Sequence, residues 1–179
     1  RIGEPEDVVL AFAEKVISQP LGAGITPSAP PTMSSPADAS SALSAGDRFL
    51  EDLAREEYQD SDFAQPGTLT YTIPLIKEEN LIWIYAWCTT SKEILDQNLK
   101  NIEVRFTLNG KAVALDKFQV EDFQNDTQWC KLFYTSLGKW APGEHHLTTT
   151  AAFTAPINDG MADYEAGNYV LDYTVYVKP

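Results

Sequence analysis

Leu81-Ile82-Trp83-Ile84-Tyr85-Ala86-Trp87-Cys88 is the stretch whose reading decides the fold. Eight apolar residues in a row, with two isoleucines and three large rings, have the length and composition of a strand. At the period of two that a strand imposes, Trp83, Tyr85 and Trp87 share one face, and Ile82, Ile84, Ala86 and Cys88 share the other. The aliphatic face, Cys88 included, reads as core. The three rings then point away from that core, either as a flat platform on which sugar rings stack or as a surface covered by another segment or a partner. A strand buried on both faces has the same sequence, and packing is the commoner fate of such rings.

A second Trp-Cys pair, Trp129-Cys130, lies forty-two residues later in Gln128–Thr135, QWCKLFYT. Here Cys130 falls with Leu132 and Tyr134, and Trp129 with Phe133. The two cysteines can meet in the core, across sheets or between adjacent strands, as the disulfide of an exported protein. The alternative is a pair of unbonded core thiols in a cytosolic one. Two cysteines are too few for a disulfide framework or a four-cysteine zinc site, and neither lies in a C-x-x-C pair.

Around these two strands the same period continues. Leu69, Tyr71 and Ile73 alternate with threonines; Ile102, Val104, Phe106 and Leu108 alternate with Glu103, Arg105 and Thr107. Asn109-Gly110 is a hairpin-turn signal. The return strand carries Val113, Leu115, Phe118 and Val120, with a break near Asp116 that reads as a bulge or bend. Residues 93–100 read as a short helical crossover, and 145–154 and 168–178 as two further strands. About seven strands between residues 67 and 179, separated by turn signals, predict a mainly β, antiparallel two-sheet sandwich.

The first third has a different composition. Residues 1–19 predict a helix: Pro5 suits a first turn, acids surround it, and Val8, Val9, Phe12, Val16 and Ile17 form one apolar stripe. Residues 20–46, rich in Pro, Ser, Ala, Gly and Thr, read as a flexible linker. Residues 47–66 read as a short helix over 47–58 and a connection. The chain is thus expected to be one sandwich with an N-terminal helical arm.

The sequence has 179 residues and a net charge of −13, from 26 acids against 13 bases. That field repels phosphate backbones and anionic lipid, so neither nucleic acid nor a membrane surface is an expected partner. No run approaches the roughly 20 apolar residues of a membrane span, and no basic-then-apolar leader is evident at the start.

Two strand beginnings, Pro142-Gly143-Glu144-His145-His146-Leu147 and Glu165-Ala166-Gly167-Asn168-Tyr169-Val170-Leu171, each place a ring two residues after a glycine. In this the region 68–178 resembles the bacterial immunoglobulin-like domains of secreted or lipoprotein-type proteins. The resemblance implies an immunoglobulin-like β-sandwich and a tyrosine corner at Tyr169, its hydroxyl bonded back to upstream backbone. Leu171 stands where antibody-type domains carry their second cysteine, so Cys88 and Cys130 are not that family's usual bridge. The fold hosts adhesion, carbohydrate recognition and spacing alike.

Motifs of catalysis are missing: there is no G-x-S-x-G, no G-x-x-x-x-G-K-[ST], no G-x-G-x-x-G and no H-E-x-x-H. His145 and His146 point to opposite faces of a strand, a poor geometry for one metal ion. Asp159, Asp163 and Glu165 supply oxygen atoms of the kind calcium takes, but without the alternating spacing of a calcium loop, and a solvated Asn-Asp-Gly turn is the competing reading. Asn125-Asp126-Thr127 matches a glycosylation sequon. The expectation is a noncatalytic extracellular or cell-envelope module without a cofactor, binding a protein partner. The alternative is carbohydrate binding on Trp83, Tyr85 and Trp87, and an enzyme is the least supported reading.

Overall fold

The structure, a computed structural model, describes residues 29–76 and 79–179. The helix expected over 1–19 lies outside the described residues. The linker expected over 20–46 is structured where it is described. Strand β1, Thr32–Met33, pairs with a later strand, and helix α1 spans Pro36–Ala45. The Pro- and Ser-rich composition that reads as linker is here a set of helix ends. The Ser35 side chain accepts a hydrogen bond from the Asp38 amide, Pro36 begins the first turn, and Gly46 closes the helix at φ 81°. Alanine fills the interior, and Ala39 is fully buried.

The helix expected over 47–58 is also corrected. Only single 3-10 turns form, at Leu50–Leu53 and Asp60–Phe63. Between them the backbone is recruited by an edge of β2, Gly67–Ile76. The Arg55 amide donates to the Thr72 carbonyl, the Thr72 amide donates to Glu56 Oε2 at 2.6 Å, and Tyr58 Oη donates to the Thr70 carbonyl and accepts from the Thr70 amide. Satisfying that edge outweighs the helical periodicity.

From there the strand pattern holds. Strand β3 is Leu81–Thr89; helix α2, Lys92–Asn98, is capped by Ser91, whose hydroxyl accepts from the Ile94 amide. Strands β4 (Ile102–Leu108) and β5 (Lys111–Val113) form the Asn109-Gly110 hairpin, with φ of 49° and 74° at the turn. The break near Asp116 is a 3-10 turn, Leu115–Lys117. There the chain leaves one sheet and enters the other as β6, Gln119–Gln124. Strands β7 (Trp129–Gly138), β8 (Gly143–Phe153), the short pair β9 (Ile157–Asn158) and β10 (Asp163–Tyr164), and β11 (Gly167–Lys178) complete the order. Seven of these strands have six residues or more, and the rest are two or three long.

Two sheets face each other. The wider runs β2-β11-β8-β4-β5. Its pairs are antiparallel except β2 with β11, which is parallel from Gly67↔Tyr169 to Ile76↔Lys178. The narrower has three lanes: β3, then β7, then β6 and β1 sharing the far side of β7. This is a mainly β, sandwich-like architecture.

The faces of β3 are the reverse of the sequence expectation. Trp83 is 0% exposed and sits between the sheets, its indole N–H donating to Thr149 Oγ1 at 2.9 Å and its ring edge-on to Phe106 and Phe118. Leu81 and Leu137 share that core. Ile82 and Ile84 face outward, where Ala39 and Leu43 of α1, with Phe49 and Tyr134, cover them. Sheets stack about 10 Å apart, a gap that large rings fill better than isoleucine does. The aliphatic residues meet a small, alanine-rich helix instead. Cys88 and Cys130 therefore lie on the outer side of the narrow sheet, directly opposite each other in neighbouring strands. They are disulfide-bonded with a Cα–Cα distance of 4.0 Å.

Candidate functional site

Three lanes cannot cover five strands. Beside β3, over β11 and β2, the narrow sheet has an empty lane. Half of it is filled by chain: Phe49 bridges to Ile82, the Leu50–Leu53 turn packs on Tyr71, and the Tyr173 hydroxyl donates to the Glu51 carboxylate. Among the described residues the other half is open. It forms a groove of about 440 Å³. Ile84–Cys88 make one wall. Tyr169 and Leu171 of β11, with Phe153 of β8, make the floor, and the β9–β10 hairpin closes one side through Asp159, Met161 and Tyr164.

The three rings of the expected platform are thus divided. Trp83 belongs to the core and takes no part in any surface. Trp87 is 8% exposed and Tyr85 is half-buried, and both line the groove. A flat exposed face made of Trp83, Tyr85 and Trp87 does not exist, because the rings are the inward residues of a strand in a sandwich. What remains is a concave aromatic surface. Trp87 stands edge-on to Phe153 at 5.2 Å and to Tyr164 at 5.0 Å, and Phe153 packs on Tyr169 at 4.4 Å.

One buried polar group of this surface, the Trp87 indole nitrogen, lacks a partner among the described residues. Burial pushes the Tyr85 hydroxyl pKa up, with Tyr164 and Tyr169 adding to it. Burial also raises Tyr164, to about 12, helped by its hydrogen bond to Asp159 and the field of Asp60. The two carboxyl groups in the lining are engaged by the protein itself. Asp159 accepts from the Met161 amide at 2.7 Å, the Ala162 amide at 2.8 Å and the Tyr164 hydroxyl at 3.0 Å. Glu51 accepts from Tyr173, and its pKa is raised because burial outweighs that bond. Phe63 and Met161 are large apolar side chains left exposed on the lining, 38% and 65%.

The acidic loop is folded on itself. Asp159 ties the turn, Asp163 accepts from the Asn158 amide group at 2.7 Å, and Glu165 is exposed with its carbonyl accepting from Tyr169. Among the described residues no three His, Cys, Asp or Glu side chains converge as a metal site. The Tyr169–Glu165 bond, 3.0 Å long, is the upstream backbone contact that a tyrosine corner implies. His145 is fully buried between the Ala141 carbonyl and the Asn109 side chain, beside Trp140, while His146 pairs with Glu144 at the surface.

Sequence reasoning missed Glu51, Phe63, Phe153, Met161 and Leu171. Met161, an apolar residue stranded in the polar loop 158–165, was the available signal. The others need the lane mismatch between sheets, which no local pattern records.

No family model matches the chain, and no curated protein sequence matches it. Among solved structures, it is similar to PbICP-C, determined in complex with falcipain-2, at 11% identity and TM-score 0.37, over 64% of this chain and 92% of that one. It is also similar to the Plasmodium falciparum protein Pf12p, at 10% identity and TM-score 0.32, over 62% of this chain and 42% of that one.

Proposed function

We propose that this domain is a noncatalytic interaction module of the extracellular space or cell envelope, and that it binds through the groove beside β3. The observation that carries the reading is the half-empty lane, an aromatic concavity with Phe63 and Met161 exposed on it. Exposed apolar side chains next to a concave apolar surface are the usual sign of a binding site. The noncatalytic character is supported by the two lining carboxylates, which hold the Leu50–Leu53 turn and the hairpin in place. The Cys88–Cys130 disulfide suits an oxidising compartment.

A second reading keeps carbohydrate as the ligand. Its support is now Tyr85 and Trp87 alone, the two rings of the expected platform that line the groove. The test of the proposal is site-specific photo-crosslinking of the full chain in producing cells. A photoreactive phenylalanine analogue replaces Met161 or, as control, the exposed Ile76 on β2. The expected result is a discrete adduct at Met161 that Phe63→Asp abolishes, and none at Ile76. Equal labelling at both positions, or labelling indifferent to Phe63→Asp, would remove the groove from the account. A glycan array probed with the parent and Tyr85→Phe separates the carbohydrate reading.

A further inference from the structure

Among the described residues, the edge of β3 is not closed. The Ile82 amide donates to the Arg48 carbonyl at 2.8 Å and the Thr90 amide donates to the Asp159 carbonyl at 2.9 Å, both on the side away from β7. Backbone direction alternates along an antiparallel strand, so the even-numbered residues between them present their N–H and C=O groups to the same side. The short Cα distance at Cys88↔Cys130 agrees, since it marks a pair that does not exchange ladder bonds. Ile84, Ala86 and Cys88 thus offer a row of donors and acceptors that no described backbone group takes up. The same residues form the wall of the groove, and Ala86 is exposed.

Elsewhere the edges are managed. Arg55, Glu56 and Tyr58 strap β2, β5 is three residues long and starts at Lys111, and β6 carries Glu121 and Asp122. The β3 window has no charge, proline or bulge of the kind that blocks pairing. It spans five residues, roughly 17 Å of strand, and is bounded at both ends by the chain's own bonds to Ile82 and Thr90. The side chains lining the lane include Glu51 and Asp159 and no Lys, Arg or His, in a chain of net charge −13.

From these observations we infer that an extended, basic-flanked peptide segment of a partner protein adds a fourth lane to the narrow sheet along Ile84–Cys88. Its alternate apolar side chains enter the groove over Phe153, Tyr169 and Leu171. Main-chain bonds to the edge supply affinity, and the aromatic floor selects every second residue. Lys or Arg at the segment's ends suits the chain's net charge of −13. The inference rests on the groove being the binding surface, and narrows its occupant to a strand.

The test uses the full, oxidised chain and a displayed library of random dodecapeptides. Enriched sequences are expected to alternate apolar residues between basic flanks. A synthetic copy should slow amide exchange at Ile84, Ala86 and Cys88 at least tenfold, while Trp83, Tyr85 and Trp87, already paired with β7, change little. N-methylation of the alternate peptide amides that face β3 should weaken binding at least tenfold, and methylation of the other set should not. Exchanging the basic flanks for Glu should cost a similar factor. Ala86→Pro removes one edge donor that no described backbone group takes up, and should lower affinity tenfold at an unchanged melting temperature. If that variant fails to fold, the methylated peptides still decide. No enrichment, protection outside the window, or indifference to methylation overturns strand addition. Crosslinking at Met161 that persists in any of those cases leaves the groove standing with another occupant, and glycan binding there would name it.

Discussion

Removing the disulfide with Cys88→Ala/Cys130→Ala perturbs the strand that carries the groove. The bridge closes a loop of sequence separation 42. In the chain-entropy picture the fixed term contributes about 0.6 kcal/mol and the logarithmic term about 3.3, so the bond restricts the unfolded chain by ~4 kcal/mol. Little offset is expected from the native side, because the two strands are in register on either side of the bond, from Leu81↔Leu137 to Thr89↔Trp129. The sheet therefore keeps its pairing without the cross-link. Urea titrations of parent and double variant, extrapolated linearly, should differ by about 2–4 kcal/mol, with a steeper dependence on urea in the variant as its unfolded state expands. The tryptophan bands in the near-ultraviolet dichroism of the folded variant should match the parent, since Trp87 packs against Phe153 and Tyr164 and does not depend on the sulfurs. A loss under about 1 kcal/mol would refute the reasoning that the bond constrains mainly the unfolded chain.

Four single substitutions have further expected outcomes. Trp83→Ala should destabilise by about 3–5 kcal/mol in the same titration, losing a fully buried ring and its bond to Thr149, whereas Phe63→Ala should cost under about 1 kcal/mol. Gly160→Ala should cost about 1–3 kcal/mol, because Gly160 has φ 96° and a Cβ there meets Thr90 Oγ1 at 1.8 Å; an unchanged melting temperature would mean that the hairpin is not held against Thr90. Glu51→Gln tests burial at the groove. The folded carboxyl titrates above its ordinary 4.5, so as pH rises through that value the unfolded chain ionises first and the parent loses stability. The difference in melting temperature should therefore move in the variant's favour from about pH 4 to about pH 7, and movement the other way would contradict a raised Glu51.

Much of the sandwich was legible because period two is imposed by the strand itself. Ile102–Leu108, the Asn109-Gly110 turn and Tyr169–Val177 fall where that rule puts them. Which face of β3 points inward was not legible. Ile82, Ile84 and Cys88 are as hydrophobic as a core requires, and the helix that covers the first two lies in a stretch whose prolines and serines read as linker. Pro36 and Ser35 were helix-start signals that the surrounding composition masked. The apolar face of 47–58 misled for another reason: its backbone is more valuable to the β2 edge than to a helix. The groove depends on a mismatch in the number of strands between two sheets, a property of topology that appears only when β2 is seen to pair with β11.

Among the described residues, half of the β3 edge is open. Amide hydrogen exchange of the unliganded, oxidised chain, read residue by residue along β3, tests it most directly. Alternation is expected: Trp83, Tyr85 and Trp87 strongly protected by β7, Ile82 and Thr90 protected by Arg48 and Asp159, and Ile84, Ala86 and Cys88 exchanging much faster. Uniform protection from Ile82 to Thr90 would mean that the lane is already filled, and the groove would lose its role.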